Sequence, residues 1–498
     1  MATPAIARRT PTALLWGAAL ALPVALVHAP AFFHRLLDGD EAIYGSIAAL
    51  MNAGGKLYAD GGVDNKPPGI FWVYAGVFHL AGPYQMTAVH LAGLLVMAAT
   101  CALLFITARA MAGVRAGLLA ALLYGVMTGA GNPRLLATNT EVLMMLPLTA
   151  SVLLMVRRQW LWSGAVLVAA GAFRQSAAVN VLLVPAAIVL LEPRERWLRA
   201  SSLFGGGLAA GLLAGALMIA WTGSLEGFWR WTIASLYGYA TTQWTPDLIW
   251  QRARDSILPF VGDDVVVWVA ALAIALRWKR LPPAERLIVA WLAVSVVGSV
   301  AGGHLSWHYF IQVMGPLALL AALAIDGALN TSRRRLVAGV MIVGLAVPTV
   351  YWLAYDLAAD PLTYDVNGPV PQHELVAAYI HDHTRPSDRV FVWGDWPALY
   401  VESDRLMASR FPGFLRGFAR GSGQAPNNWD TTSDVWPLLE GDLTRNPPTL
   451  IVDTAAAGWS DFSMYPMSNY PVLANLIASN YHELAKVDHV VIYARNGA

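Results

Sequence analysis

The sequence predicts a mainly α protein, a bundle of membrane-spanning helices followed by a small α/β domain. Three observations carry this. Hydrophobic residues make up 57% of the 498 positions and charged residues only 13%, about half the charged share of an ordinary soluble chain. The apolar residues fall in long uncharged blocks, the pattern required to cross a hydrocarbon core as helix. From about residue 356 the composition turns soluble, which divides the chain into a membrane module over 1–355 and a C-terminal domain over 356–498. The formal net charge of +1 gives no reason to expect nucleic acid as a partner. Cys101 is the sole cysteine, so no disulfide within the chain is expected.

Eleven apolar blocks are expected to cross the membrane, some only by tilting or thinning it. They lie near 12–33, 86–108, 114–131, 139–156, 160–173, 177–191, 200–221, 259–277, 286–302, 309–326 and 336–354. The first follows Arg8 and Arg9 and is too long for a signal-peptide core, so it reads as an uncleaved span. Basic residues then fix the order. Arg109 and Arg115, Arg157 and Arg158, Arg194 to Arg199, Arg277 to Arg286, and Arg333 to Arg335 all fall on the cytoplasmic side if the N-terminus is inside. The C-terminal domain is then extracytoplasmic. The leftover apolar stretch 67–82 is short, and counting it as a crossing would invert every later loop. It reads as a juxtamembrane or re-entrant helix.

Three parts are therefore expected outside: a loop over 34–85, a loop rich in Trp and Tyr over 222–258, and the C-terminal domain. Within the last, strand-like runs at Arg389–Trp393, Thr449–Val452 and His489–Ala494 alternate with helix-like segments near 372–382 and 472–480.

In the first outside loop, Ile43, Ile47, Leu50 and Met51 recur at helical spacing after Asp38, Asp40 and Glu41, which predicts a helix lying on the membrane surface. Asp38 and Glu41 have capping-box spacing, so a capping role and a catalytic one are both open for them. Asp40 is not needed for that box and is placed to take a proton from an acceptor hydroxyl. Farther on, Lys66 precedes Pro67 and Pro68, which favour the first turn of a helix. A lysine opposes the dipole at that end unless an anion binds there too; interfacial snorkelling is the other reading.

The Asp-Glu pair followed by Tyr44, with Lys-Pro-Pro after a glycine-rich stretch, resembles the membrane glycosyltransferases of the C-type fold. The nearest groups are the protein O-mannosyltransferase-like family and the aminoarabinose transferases that modify lipid A. The resemblance covers roughly the first 330 residues. It implies a polyprenyl-phosphate sugar donor, an extracytoplasmic site, and an acceptor hydroxyl on a lipid, glycan or protein. It implies Asp40 and Glu41 as catalytic, with Lys66, Arg174, His90 and His308 toward the donor phosphate. Tyr44, Glu141 and Tyr309 would orient groups or meet the acceptor. His90 stands where relatives often carry arginine, and a neutral histidine binds phosphate more weakly than arginine does. Asn139 or Thr140 could instead cap a helix with Glu141 in its first turn. His304 and His308 have metal-ligand spacing on a helix, but the resemblance implies no metal and no other cofactor. A lipid or sugar transporter and a non-catalytic assembly protein are the alternative functions; neither the paired repeats nor the broken midplane helices of transporters are evident.

Overall fold

The computed structural model describes residues 22–236, 245–364, 370–413 and 435–497. The part of the first expected span before Leu22, with Arg8 and Arg9, lies outside the described residues, as do 237–244 of the aromatic loop.

A helix occupies every expected apolar block. In chain order these are α1 (Leu22–Phe32), α2 (Gly39–Asn52), α3 (Gly69–Ala81), α4 (Met86–Ala112), α5 (Val114–Met127), α6 (Thr140–Val156) and α7 (Trp160–Gly171). There follow α8 (Leu183–Leu191), entered through a 3-10 turn over Gln175–Leu182, and α9 (Trp197–Thr222). The remaining apolar helices are α10 (Pro246–Asp263), α11 (Val265–Ala275), α12 (Pro283–Val300), α13 (Ile311–Leu329) and α14 (Arg334–Ala358). Five of them, α4, α9, α12, α13 and α14, are long and apolar enough to cross a membrane unaided; the protein is a multi-pass membrane protein. The block at 259–277 is not one straight span. It falls across α10 and α11, which meet at a 79° bend beside Asp264.

Small residues bring the bundle helices together. A side chain at Gly207 of α9 would strike the Leu161 carbonyl of α7, and one at Gly164 of α7 the Phe204 carbonyl of α9. Without them the two backbones could not approach, the usual route to tight helix pairs in lipid. α13 is buried along most of its length and forms the axis of the bundle.

The other core lies beyond the bundle. α2 and α3 pack through Tyr44, Phe71 and Tyr74, whose rings meet edge to face at 5.7–5.8 Å. The same continuous core takes in the C-terminal segment, so the first loop and the chain after α14 are packed as one body. This segment contains α15 (His373–Asp382), α16 (Ala398–Glu402), α17 (Val435–Arg445) and α18 (Pro471–Asn480) around a five-stranded sheet. Its strands are β1 (Arg389–Trp393), β2 (Leu406–Met407), β3 (Leu450–Asp453), β4 (Tyr481–Val487) and β5 (Val490–Arg495), in the order β2-β1-β3-β5-β4. β1 runs parallel to β2 and β3, with Val390 opposite Leu450; β5 is antiparallel to β3, with Leu450 opposite Ala494. β4, which the sequence does not announce, is the edge strand. It turns into β5 at Asp488 and His489, both with positive φ, the backbone a two-residue hairpin requires. Gly45 of α2 lies against Val401 of α16, and this contact ties the surface helix to the sheet segment.

His373 forms a second tie. Its ring is buried and bridges Asp360, just beyond α14, at 2.7 Å and Glu402 of α16 at 2.8 Å. Burial alone would lower its pKa; the two carboxylates outweigh this and push it from 6.5 to about 10. A histidine raised in this way contributes its full stability below the unfolded value and loses it as pH climbs to the folded one. Unfolding midpoints of the detergent-solubilised protein should therefore fall between pH 6.5 and 10, and His373→Gln should flatten that slope. A slope unchanged in His373→Gln would assign it to other groups.

Candidate active site

Asp40 and Glu41 are neighbours in the first turn of α2 and end up in different surroundings. Glu41 has no solvent exposure. Its Oε2 accepts from the Leu37 N–H at 2.9 Å and from His90 Nε2 at 3.2 Å, and its Oε1 accepts from the Thr138 N–H at 2.7 Å. The capping reading is thus right in kind but shifted: Glu41 reaches Leu37, and Asp38 caps the helix through the Asp40 N–H at 3.4 Å. His90 and Glu41 face each other inside the protein, and neither lines the cavity described next.

Asp40 is on the opposite side, with its side chain 27% exposed. It forms one wall of a cavity of about 460 Å³ together with Asp38, Lys66, Arg134, His304, His308 and Tyr309. Asp395, Trp396, Pro397 and Phe462 of the C-terminal segment form the facing wall. Lys66 Nζ is 3.5 Å from Asp40 Oδ2, and the Tyr44 hydroxyl, one helical turn along, donates to the same oxygen at 3.2 Å. Burial alone would raise the Asp40 carboxyl, but Lys66, His308 and Arg134 outweigh it and hold it well below the usual carboxylate range. Burial would likewise lower Lys66; Asp40 and Asp64 reverse this and raise it. Tyr44 is buried, which keeps its hydroxyl protonated as a donor.

Lys66 is held in place by its backbone. Its carbonyl accepts from the Tyr58 hydroxyl at 2.8 Å, and Pro67 and Pro68 lead directly into α3. The first amide of that helix is not open to an anion, however. Gly69 N–H donates to the Ala172 carbonyl at 2.7 Å, in a contact so close that a Cβ on Gly69 would collide with it.

Behind the cavity wall, Arg174 is paired with the buried Glu141, and its guanidinium carbon sits 3.7 Å over the Tyr309 ring. Thr140 donates to Glu141 at 2.7 Å. Arg174 and Glu141 are thus one layer back from the cavity, with Tyr309 between. Asn139 stands at the N-cap of α6 but makes no side-chain cap; its amide donates to Asp38 at 3.0 Å.

The structure therefore brings Asp40, Lys66, His308 and Tyr309 to one surface, with Tyr44, Glu141 and Arg174 immediately behind. Arg134, 3.7 Å from Asp38, is an addition. The reasoning that singled out Arg174, a basic residue in the short loop between α7 and α8, applied equally to Arg134 in the loop joining α5 and α6. Asp395 and Trp396 gave no signal, because nothing in the sequence says that β1 ends at this cavity. His304 and His308 do not share a helix face, since the short helix over Trp307–Phe310 begins after Leu305, which has φ 52°. Among the described residues the side chains close enough to share a cation are Asp38, Asp40 and His308, with one donor atom from each within 4.8 Å of the others. Burial raises Asp38 above the usual carboxylate range, while Arg134 opposes this.

Residues 65–221 match the family profile of the dolichyl-phosphate-mannose-protein mannosyltransferases. A search of curated proteins gives no sequence match. Among solved structures, ArnT from Cupriavidus metallidurans bound to undecaprenyl phosphate superposes with a TM-score of 0.64 at 14% identity, over 98% of this chain and 99% of that one. The Archaeoglobus fulgidus oligosaccharyltransferase in its apo form gives 0.57 at 12% identity, over 98% of this chain and 75% of that one. The same organism's AglB in complex with an inhibitory peptide and a dolichol-phosphate gives 0.51 at 11% identity, over 98% and 75%. The fold is that of the C-type glycosyltransferases, as the sequence predicts.

The position of Glu41 generates a direct test. Glu41→Ala would strip the Leu37 and Thr138 amides of their acceptor, and each unsatisfied buried donor costs about 1–3 kcal/mol. The unfolding midpoint should fall sharply, and an unchanged midpoint would return Glu41 to the list of groups available for chemistry.

Proposed function

We propose that the protein is a glycosyltransferase that moves a sugar from a polyprenyl-phosphate carrier to an acceptor hydroxyl on the extracytoplasmic side of the membrane. The observation that carries this reading is the Asp40–Lys66 pair on the cavity wall: a carboxylate kept ionised by cations that a phosphate could claim. The fold and the profile match support the same reading, as do neighbours solved with polyprenyl phosphates.

In this scheme the donor phosphate binds Lys66 and Arg134, with His308 beside them. Asp40 accepts the proton of the acceptor hydroxyl. The hydroxyl oxygen attacks the anomeric carbon as the bond to the phosphate oxygen breaks. The electron pair leaves with the lipid phosphate, whose charge the same cations stabilise. A single displacement inverts the anomeric centre. Arg174 acts through Tyr309, fixing the ring that lines the cavity, and Glu141 fixes Arg174. The scheme needs no metal, because Lys66 and Arg134 supply positive charge where a Lewis acid would.

A carboxylate held so low is a poor base in the free protein. The donor corrects this. A phosphate that draws Lys66 and Arg134 away from Asp40, and adds its own negative charge, moves the Asp40 pKa upward. The base then becomes competent once the donor is in place, and idle hydrolysis is suppressed before that.

Transfer assays with purified protein and a panel of polyprenyl-phosphate sugars test the scheme. Asp40→Asn keeps the shape of the helix start and removes the base; it should cut turnover by about 10²–10⁴ while donor binding survives. Lys66→Met should weaken donor binding, since a charged hydrogen bond is typically about 1.5–3 kcal/mol. Chelators should leave wild-type turnover unchanged. Near-normal turnover in Asp40→Asn refutes the base assignment, and loss of activity on chelation reassigns Asp38, Asp40 and His308 to an ion.

Sidedness is tested separately by labelling single cysteines in a Cys101-free background. Positions 157 and 333 should react only from the cytoplasm, and positions 40 and 483, the latter exposed on β4, only from outside. Position 40 reacting from the cytoplasm would invert the scheme.

A further inference from the structure

Away from the cavity, α11, α13 and α14 leave a groove between them of about 760 Å³. Its lining is aliphatic over most of its length, and Val269, Leu336 and Val340 on its rim are 63%, 66% and 51% exposed. In a bilayer such a space is filled by lipid. Three features make this groove more than an irregular flank.

The first is that it has ends. α11 finishes, and α14 begins, at the same end of the bundle, and there Arg277 and Arg333 both line the groove. At the other end Gly344 lets α14 touch Val266 of α11, which closes it. The second is its length. From Arg333 to Met341 the helical rise is roughly 12 Å, close to half of a hydrocarbon core of about 30 Å. The groove thus has the depth of one leaflet. The third is charge. Asp326, the acid on this end of α13, is taken by Arg115 at 2.5 Å, and Arg115 also holds Asn330 at 2.7 Å. Among the described residues neither Arg277 nor Arg333 has a carboxylate partner.

An apolar slot one leaflet deep, with two unpaired guanidinium groups at its mouth, matches an acyl chain beneath an anionic head group. We infer that this groove is a binding site for an anionic phospholipid, with the phosphate on Arg277 and Arg333 and a chain along α11 and α14. Guanidinium suits this role because it grips phosphate oxygens through paired donors. The site is separate from the proposed transfer reaction and does not depend on it.

Native mass spectrometry of the full-length protein in detergent tests the inference, using phosphatidylglycerol and phosphatidylcholine of the same chain composition as probes. The wild type should retain one phosphatidylglycerol in preference to phosphatidylcholine. Arg277→Gln and Arg333→Gln should each weaken retention about fivefold, the effect of one basic residue at an anionic membrane surface, and the double variant should retain both lipids alike. Val269→Trp fills the groove without touching the arginines and should also lose the bound lipid. All these positions are exposed, and unfolding midpoints should confirm that the variants are folded. Equal retention of the two lipids by the wild type overturns the proposal, as does undiminished phosphatidylglycerol in the double variant. A dimer that Val269→Trp dissociates would overturn it in favour of a second copy of the chain.

Discussion

A side chain with two acceptor oxygens and no contact with water must be given donors by the protein, and Glu41 receives three from three separate segments. Leu37 lies just before α2, His90 in the first turns of α4, and Thr138 immediately before α6. Losing any one donor would leave buried polar groups unmatched, at a cost comparable to a large share of a domain's net stability. These segments are therefore locked in one arrangement. Successive residues on a helix differ by about 100° in direction, so burying Glu41 on one side turns Asp40 to another. Asp40 faces the cavity because its neighbour is fixed in the interior. The adjacent Thr138 and Asn139 carry the constraint across to Asp38 and to the start of α6, which bears Glu141.

The C-terminal segment completes the cavity by the same logic of shared burial. α2 and α3 are too short and too apolar on one face to be stable alone at the edge of a bundle. Their apolar faces share a core with α15, α16 and the sheet. Gly45 sets the distance by admitting Val401, and His373 pins Asp360 to Glu402 where the chain leaves α14. The result is that Asp395 and Trp396, at the end of β1, face Asp40 across the cavity. Trp396 is buried, and its indole Nε1 has no hydrogen-bond partner among the described residues, while its ring lies 5.7 Å from that of His373. The tie that stabilises the segment thus also positions the facing wall.

Much of the fold is legible in the sequence because hydrophobic length is a strong, local signal. Among the described residues each apolar block is helical, though the one at 259–277 is split between α10 and α11, and the three strand-like runs became β1, β3 and β5 to within a residue or so. What escaped was non-local. β4 reads as polar because an edge strand need bury only one face, and its burial pattern alternates little. The 79° bend at Asp264 falls just after Gly262, but a lone glycine in an apolar run does not by itself mark a break. At the site, Asp40 and Lys66 could be paired from their motifs, since both are tied to helix starts. The partners of Glu41 and His90 could not, because a buried hydrogen bond between residues 49 positions apart leaves no periodic trace. Arg134 was legible by the rule applied to Arg174.

The cavity's charges have an order to them that the separate residues conceal. Asp38, Asp40 and Asp395 line it along with Lys66 and Arg134, so in the free state the cations are largely answered by carboxylates. A phosphate must compete for them. At 3.5 Å the Asp40–Lys66 pair is longer than a tight charge-assisted hydrogen bond, and Lys66 is a single flexible ammonium whose backbone is pinned while its tip is not. Arg174, by contrast, is closed off by Glu141 and by the face of Tyr309. Lys66, with Arg134 beside it, is an exchangeable cation at this surface, and the carboxylate it would release is Asp40. Under the proposed scheme, donor binding and activation of the base are the same event, which would couple the order of substrate binding to the chemistry without any moving part larger than a lysine side chain.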